Sequence, residues 1–252
     1  MKEITIAIYD GGSLTSLKPV ETFWYRGQKC KHCDKVVPVF GLGHHVPESD
    51  GEDEFSKKGI NFYKWGNKKE EAYFLERINK LYQERFKGTM NFDIICIVPS
   101  HEQGKSNEHM EMIAQKIAAA IGARFVRLLE RGRTVKSQHE ILGVDAREEN
   151  VRGSLTVKED VRGKSILVLD NTCISGANSR TAFDCLTEAG ACNVVFIILG
   201  LGNKAKDIDF DINPAYRGSA KDIIEKWHWP KVPKEKREDY KKQRKETPPE
   251  KV

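Results

Sequence analysis

The sequence predicts an α/β fold, a parallel sheet with helices on both faces, preceded by an irregular N-terminal region. Three observations predict it. The segments "DIICIVP" (93–99), "SILVLD" (165–170) and "NVVFIILG" (193–200) are continuous apolar runs rather than alternating ones, as strands buried on both faces require. Amphipathic helical stretches follow the first two of these runs. Glycine closes both of those stretches, at Gly122 and Gly190.

The elements follow in order. Residues 2–9, "KEITIAIY", alternate and read as a strand, and Asp10-Gly11-Gly12 turns the chain. Residues 20–66 read as irregular, with the acidic run "ESDGEDE" (48–54) as a solvated loop. A helix is predicted from Asn67 to Phe86, with Phe74, Ile78 and Leu81 on one face and Leu75 and Tyr82 beside them. After the strand at 93–99, residues 107–122 form a helix that turns Met110, Ile113, Ala114, Ile117 and Ile121 inward. "RFVRLL" (124–129) reads as a strand, and a long polar segment, 130–152, interrupts the alternation. The helix at 179–190 turns Ala182, Phe183, Leu186 and Ala189 inward. The predicted division is an N-terminal region at 1–66, the main domain at 67–225 and a basic, mobile tail at 226–252.

Composition narrows the class. Hydrophobic residues make up 39% and charged residues 31%, which suits a soluble globular chain with extensive polar surface. No apolar run reaches the ~18 residues of a membrane span, so no membrane partner is expected. The start, "MKEITIAIYDGG", has no basic region leading into an apolar one, so no signal peptide is expected. Six cysteines with a single CxxC do not form a disulfide framework, and a reducing cytoplasm is the expected location.

The chemistry gathers at "SILVLDNTCISGANS" (165–179). In an open α/β sheet, ligands sit beyond the carboxyl ends of the strands. Asp170 and Asn171 are placed at such an end, and a small-residue loop leads from them into a helix. Free amides and the positive end of the helix dipole suit a phosphate there, across Ile174, Ser175, Gly176, Ala177, Asn178 and Ser179. Gly176 lets the backbone approach an anion, and Ser175, Asn178 and Ser179 add side-chain donors. A carboxylate just ahead of the loop can accept hydrogen bonds from a vicinal diol. A sugar phosphate has both parts. The plainer alternative is an ordinary turn with Asn178 or Ser179 capping the helix.

This stretch resembles the phosphoribosyl diphosphate (PRPP) signature of type I phosphoribosyltransferases, matched at most positions from Ile166 to Asn178. "LLERGRTVKSQHEILGVDAREENVRG" is similar to the ComF-like (competence protein F) group, through Arg131, Thr134, Ser137, Gln138, Arg147, Asn150, Val151 and Gly153. "VPSHEQGKSNEHM" resembles that group's Val-Pro strand end and helix start, with Asn107 matched and Glu108 where glutamine is usual. The resemblance implies a parallel sheet of about five strands and transfer of phosphoribosyl from PRPP to a nitrogen acceptor. It implies that Asp170 and Asn171 hold the ribose, residues 174–179 the 5-phosphate, and Mg2+ the diphosphate and hydroxyls. Arg131, Arg133 and Lys136, on a mobile segment, would close over the diphosphate, with Ser100, His101 and Lys105 beside them. The motif is degenerate at three positions: Asn171 replaces an acid, Ile174 a hydroxyl residue, and Asn178 a threonine. These departures leave a second reading open, a nucleotide-binding accessory protein in DNA uptake or processing.

Two further regions carry expectations. "CKHC" puts Cys30 and Cys33 ahead of His44 and His45, a spacing that suits structural Zn2+. The alternative is a reduced CxxC with two loop histidines. In the tail, lysines and arginines outnumber carboxylates, and Trp227 and Trp229 offer stacking surfaces for single-stranded nucleic acid. The alternative there is a solvated tail whose tryptophans pack back on the domain. The expected partners are thus PRPP or a nucleotide, single-stranded nucleic acid, and a second copy of the chain in a homodimer.

Overall fold

The computed structural model describes residues 2–9, 22–29, 36–45, 54–141, 144–202 and 209–212. The strands are β1 (Lys2–Tyr9), β2 (Thr22–Lys29), β3 (Val36–Gly41), β4 (His44–His45), β5 (Ile94–Ile97), β6 (Arg124–Phe125), β7 (Leu129–Arg131), β8 (Leu155–Val157), β9 (Ser165–Cys173), β10 (Asn193–Gly202) and β11 (Asp209–Ile212). The α-helices are α1 (Glu54–Trp65), α2 (Lys68–Leu81), α3 (Glu108–Ile121), α4 (Val144–Val151) and α5 (Ala177–Glu188). One sheet runs in the order β11-β1-β2-β3-β10-β9-β5-β6, with β4 also paired to β10. From β3 to β6 every pairing is parallel. The β1–β2 and β2–β3 pairings are antiparallel. The α/β class with a mostly parallel sheet is therefore the one the sequence predicts.

The apolar strand runs fill both faces of the sheet. Ile95, Ile97, Leu167, Leu169, Val195 and Ile197 meet Phe62 of α1, Phe74 and Ile78 of α2, and Ile113 and Ile117 of α3. The alternate residues Ile94, Cys96, Ile166, Val168, Phe196 and Ile198 meet Phe183 and Leu186 of α5 and Leu129 and Leu155 of the β7–β8 pair. Successive side chains in a strand point to opposite faces, so a run without polar residues needs both covers. Burying each of these large side chains stabilises the fold by about 1.5–3 kcal/mol.

The helices obey their local signals. Asn67 caps α2 by accepting from the amides of Lys69 and Glu70. Asn107 caps α3 by accepting from His109 and Met110, and Gly122 ends it at φ 74°. The predicted helix to Phe86 is an α-helix to Leu81 that widens into a π-helical turn over Tyr82–Phe86.

Several elements differ from expectation. Residues 20–66, expected to be irregular, contain β2, β3, β4 and α1. The helix α1 escapes notice because Phe55 and Phe62 are its main apolar anchors among lysines and a glycine, and it buries only Ser56 and Phe62 fully. The predicted strand 124–129 divides. Arg124–Phe125 pairs with β5, and the chain then leaves the sheet, so that Leu129–Arg131 pairs antiparallel with β8. The polar segment 130–152 holds a 3-10 turn at Gln138–Glu140 and α4. Asp10-Gly11-Gly12 and the tail from Lys226 lie outside the described residues.

Candidate phosphoribosyl site

The site arises where two neighbouring strands part. The β5–β9 ladder ends with the Val98 amide donating to Leu169 O at 3.0 Å. The next residue, Pro99, has no N–H and cannot extend it. On its other side β9 continues pairing with β10 as far as Cys173. Asp170 is thus interior to its strand on one side and the first unpaired position on the other, a correction to its expected place at the strand end. The chain leaves β5 toward α3 on one face and leaves β9 toward α5 on the other. Divergent crossovers of this kind open a crevice at the carboxyl ends of the strands.

A cavity of about 270 Å³ fills this crevice. One wall is the run from Asp170 to Ser179; the other brings Val98, Pro99 and His101 together with Ser137, Gln138, His139 and Arg147. All eight candidate ribose and phosphate residues, Asp170, Asn171, Ile174, Ser175, Gly176, Ala177, Asn178 and Ser179, line it together. The loop between β9 and α5 is only three residues, Ile174 to Gly176. Gly176 occupies the N-cap position at φ 76°, a left-handed conformation that suits glycine, and offers no side-chain cap. The first-turn amides of α2 and α3 are met by asparagine, whereas those of α5 begin at the cavity wall. Ser175 and Ser179 are buried beside them.

Asp170 is 9% exposed. Its Oδ1 accepts from the Asn171 amide at 2.9 Å, and the Asn171 side-chain oxygen accepts from the Thr172 amide at 2.7 Å. Burial pushes the Asp170 carboxyl up to about 7, against the opposing pull of the Asn171 amide and the Arg131 guanidinium. Burial likewise holds Arg131 below its usual range, with Asp170 opposing and Arg133 adding to the shift. His139 is lowered by burial first and then by the charges of Arg147, Lys64 and His101. Burial also lowers Arg147.

The cations expected on a mobile loop occupy structural positions. Arg131 is 1% exposed and donates to Ser100 O at 2.9 Å, Ser154 Oγ at 2.6 Å and Asn178 Oδ1 at 3.4 Å. It forms a pillar behind the β9–α5 loop instead of a lid in front of it. Arg133 donates to Asn150 O and Arg152 O at 3.0 and 3.2 Å, fastening the end of α4. The Lys136 backbone is clamped by both ends of the Asn150 amide. Lys105 pairs with Glu102 at 2.6 Å on the surface. Of the six residues assigned to diphosphate, His101 lines the cavity, and Ser100 contributes the carbonyl that receives Arg131.

Ser137, Gln138, His139 and Arg147 carry no site role in the sequence, although three of them belong to the quoted resemblance. The buried pair of Arg180 and Glu148 likewise has no sequence signal. Arg180 donates to Ser175 O at 3.0 Å and to Glu148, coupling the β9–α5 loop to α4. An arginine in the first turn of a helix carries no local signal for this role.

Among the described residues no group of three or more His, Cys, Asp or Glu gathers to hold a metal. Cys30 and Cys33 and the side chain of His44 lie outside the described residues, and His45 is buried. Among the described residues no helix is long and apolar enough to cross a membrane.

No protein-family model matches the chain, and no curated protein matches it. Among solved structures the chain is similar to the allosteric regulatory enzyme of purine biosynthesis, at 28% identity over 47% of this chain and 23% of that one, with a TM-score of 0.32. It is similar to the glutamine PRPP amidotransferase from B. subtilis complexed with ADP and GMP, at 27% identity over 47% and 24%, with a TM-score of 0.32. It is also similar to the adenine phosphoribosyltransferase from Leishmania tarentolae, at 11% identity over 69% and 90%, with a TM-score of 0.39. The chain spans about a quarter of the length of the first two. At TM-scores this low, the function is left to the geometry of the site.

Proposed function

We propose that this chain binds a phosphoribosyl group, as PRPP or a ribose 5-phosphate nucleotide, in the crevice between β5 and β9. The observation that carries the reading is one juxtaposition. The start of α5, whose N-cap Gly176 lies in the left-handed conformation and offers no side-chain cap, shares a wall with the buried carboxylate of Asp170. The first suits a phosphate and the second a diol. The cavity of about 270 Å³ lies just below the range of small-ligand pockets, roughly 300–1,000 Å³.

In the fuller reading the protein transfers phosphoribosyl to a nitrogen acceptor, as its resemblance to ComF-like phosphoribosyltransferases suggests. The opposite wall would then face C1 of the ribose. His139, held neutral by burial and by its cationic neighbours, would stand near the acceptor, and Arg147 near the departing diphosphate. Positioning and charge complementarity would supply the rate.

The second reading, a nucleotide-binding accessory protein, is favoured by Asn171 and Ile174, which remove an acid and a hydroxyl from the motif while keeping the loop. Calorimetry with ribose 5-phosphate tests the binding common to both readings, and absence of heat would overturn it. Labelled PRPP with a panel of nitrogenous bases then separates them. Base-dependent release of diphosphate identifies the transferase; binding without release identifies the accessory protein.

A further inference from the structure

Magnesium is the partner the resemblance implies for this pocket, and the residues present do not fit it. Magnesium is a hard cation that takes oxygen ligands in octahedral geometry, so a protein site for it needs at least one ionised carboxylate free to ligate. The cavity wall contains a single carboxylate, Asp170. One of its oxygens already receives the Asn171 amide, and the positive charge of Arg131 acts on it as well. The neighbouring position, where the motif has a second acid, holds Asn171, whose oxygen is taken by the Thr172 amide. Two nearby carboxylates are engaged elsewhere, Glu102 with Lys105 and Glu148 with Arg180, and neither lines the cavity. The remaining ionisable side chains on the wall are Arg147, His101, His139 and Cys173, none of which offers the oxygen ligand that magnesium takes.

From this inventory we infer that the pocket takes its phosphoribosyl ligand, PRPP included, without a magnesium ion, its cations neutralising the ligand's anionic groups directly. This rests on the phosphoribosyl reading of the site. The 5-phosphate meets the amides at the start of α5. The groups at C1 meet Arg147, with His101 beside it. Asn171 is the residue that sets the choice. A second carboxylate there would turn the diol end of the pocket into a cation site, and the neutral amide leaves the balance to the protein's own positive charge.

The test is calorimetric titration of the full-length protein with ribose 5-phosphate and with PRPP, each in magnesium and in EDTA. The expected result is PRPP affinity that agrees within about twofold between the two conditions. A gain of more than about tenfold for PRPP in magnesium, with ribose 5-phosphate bound equally in both, overturns the inference and leaves the phosphoribosyl reading standing. Failure of both ligands to bind in both conditions overturns both. Asn171→Asp supplies the converse arm: it should create a magnesium dependence of about tenfold for PRPP. Arg147→Gln should weaken metal-free PRPP more than ribose 5-phosphate. An Asn171→Asp protein still indifferent to magnesium, or an Arg147→Gln protein that loses both ligands equally, counts against the assignment of these roles.

Discussion

Arg131 reaches from the β7–β8 pair to the first turn of α5, where its guanidinium donates to the Asn178 side-chain oxygen at 3.4 Å. The same guanidinium holds Ser100 O and Ser154 Oγ, so one buried cation joins the segment after β5, the start of β8 and the first turn of α5. Asp170 supplies the compensating charge. A buried cation with three acceptors and an opposing carboxylate makes the cavity wall rigid before any ligand arrives.

Arg131→Met should therefore destabilise the protein by about 1–3 kcal/mol, because three acceptors lose their donor, while the Asp170 carboxyl, raised to about 7, can keep its proton. Arg131→Lys should restore little, since a single ammonium cannot span the three sites of a planar fork. Urea denaturation midpoints of the two variants check this; a wild-type midpoint for Arg131→Met would show that the pillar contributes nothing.

Stability should fall as pH rises from about 4 to about 7 through the Asp170 contribution. The sign follows from the raised carboxyl. Across that window the folded state keeps the proton and the unfolded chain has released it, so proton loss favours unfolding. The contribution is complete below the unfolded value and lost as pH passes the folded one. Asp170→Asn should flatten this slope, removing on the order of 3 kcal/mol of pH dependence. Denaturant titrations at several pH values give the comparison, and identical slopes for the two proteins would contradict it.

Asp170→Ala should weaken ribose 5-phosphate binding by about 1.5–3 kcal/mol, the contribution of a charged hydrogen-bond acceptor. Calorimetry above pH 7, where the carboxylate is ionised, is the measurement. Unchanged affinity would remove Asp170 from the diol site.

Gly176→Ala should cost about 1–2 kcal/mol of stability, because its φ of 76° disfavours a Cβ. It should also weaken binding of inorganic phosphate and of ribose 5-phosphate alike, since both use the amides that this residue presents. Equal phosphate affinity in the variant and the wild type would show that the anion sits elsewhere.

The continuous apolar strands, α3 with its Asn107 cap and Gly122 stop, α5 and the loop at 174–176 were all legible in the sequence. Each depends on residues close together along the chain: a two-faced apolar run, a 3.6-residue period, an αL glycine between strand and helix. The gathering of Asp170 with the loop was legible for the same reason. What required the fold was everything decided by distant partners. The partners of Arg131 lie 31, 23 and 47 residues away, so nothing local distinguishes a pillar from a solvated loop cation. The departure of the chain from the sheet after Phe125, the helix α1 with its two phenylalanine anchors, and the wall formed by Ser137 to His139 and Arg147 likewise follow from packing. Local sequence determined the central strands, the helices α3 and α5 and the short glycine loop between β9 and α5; tertiary structure decided which charges are buried, because the cost of burying a charge is met only by partners that the fold brings to it.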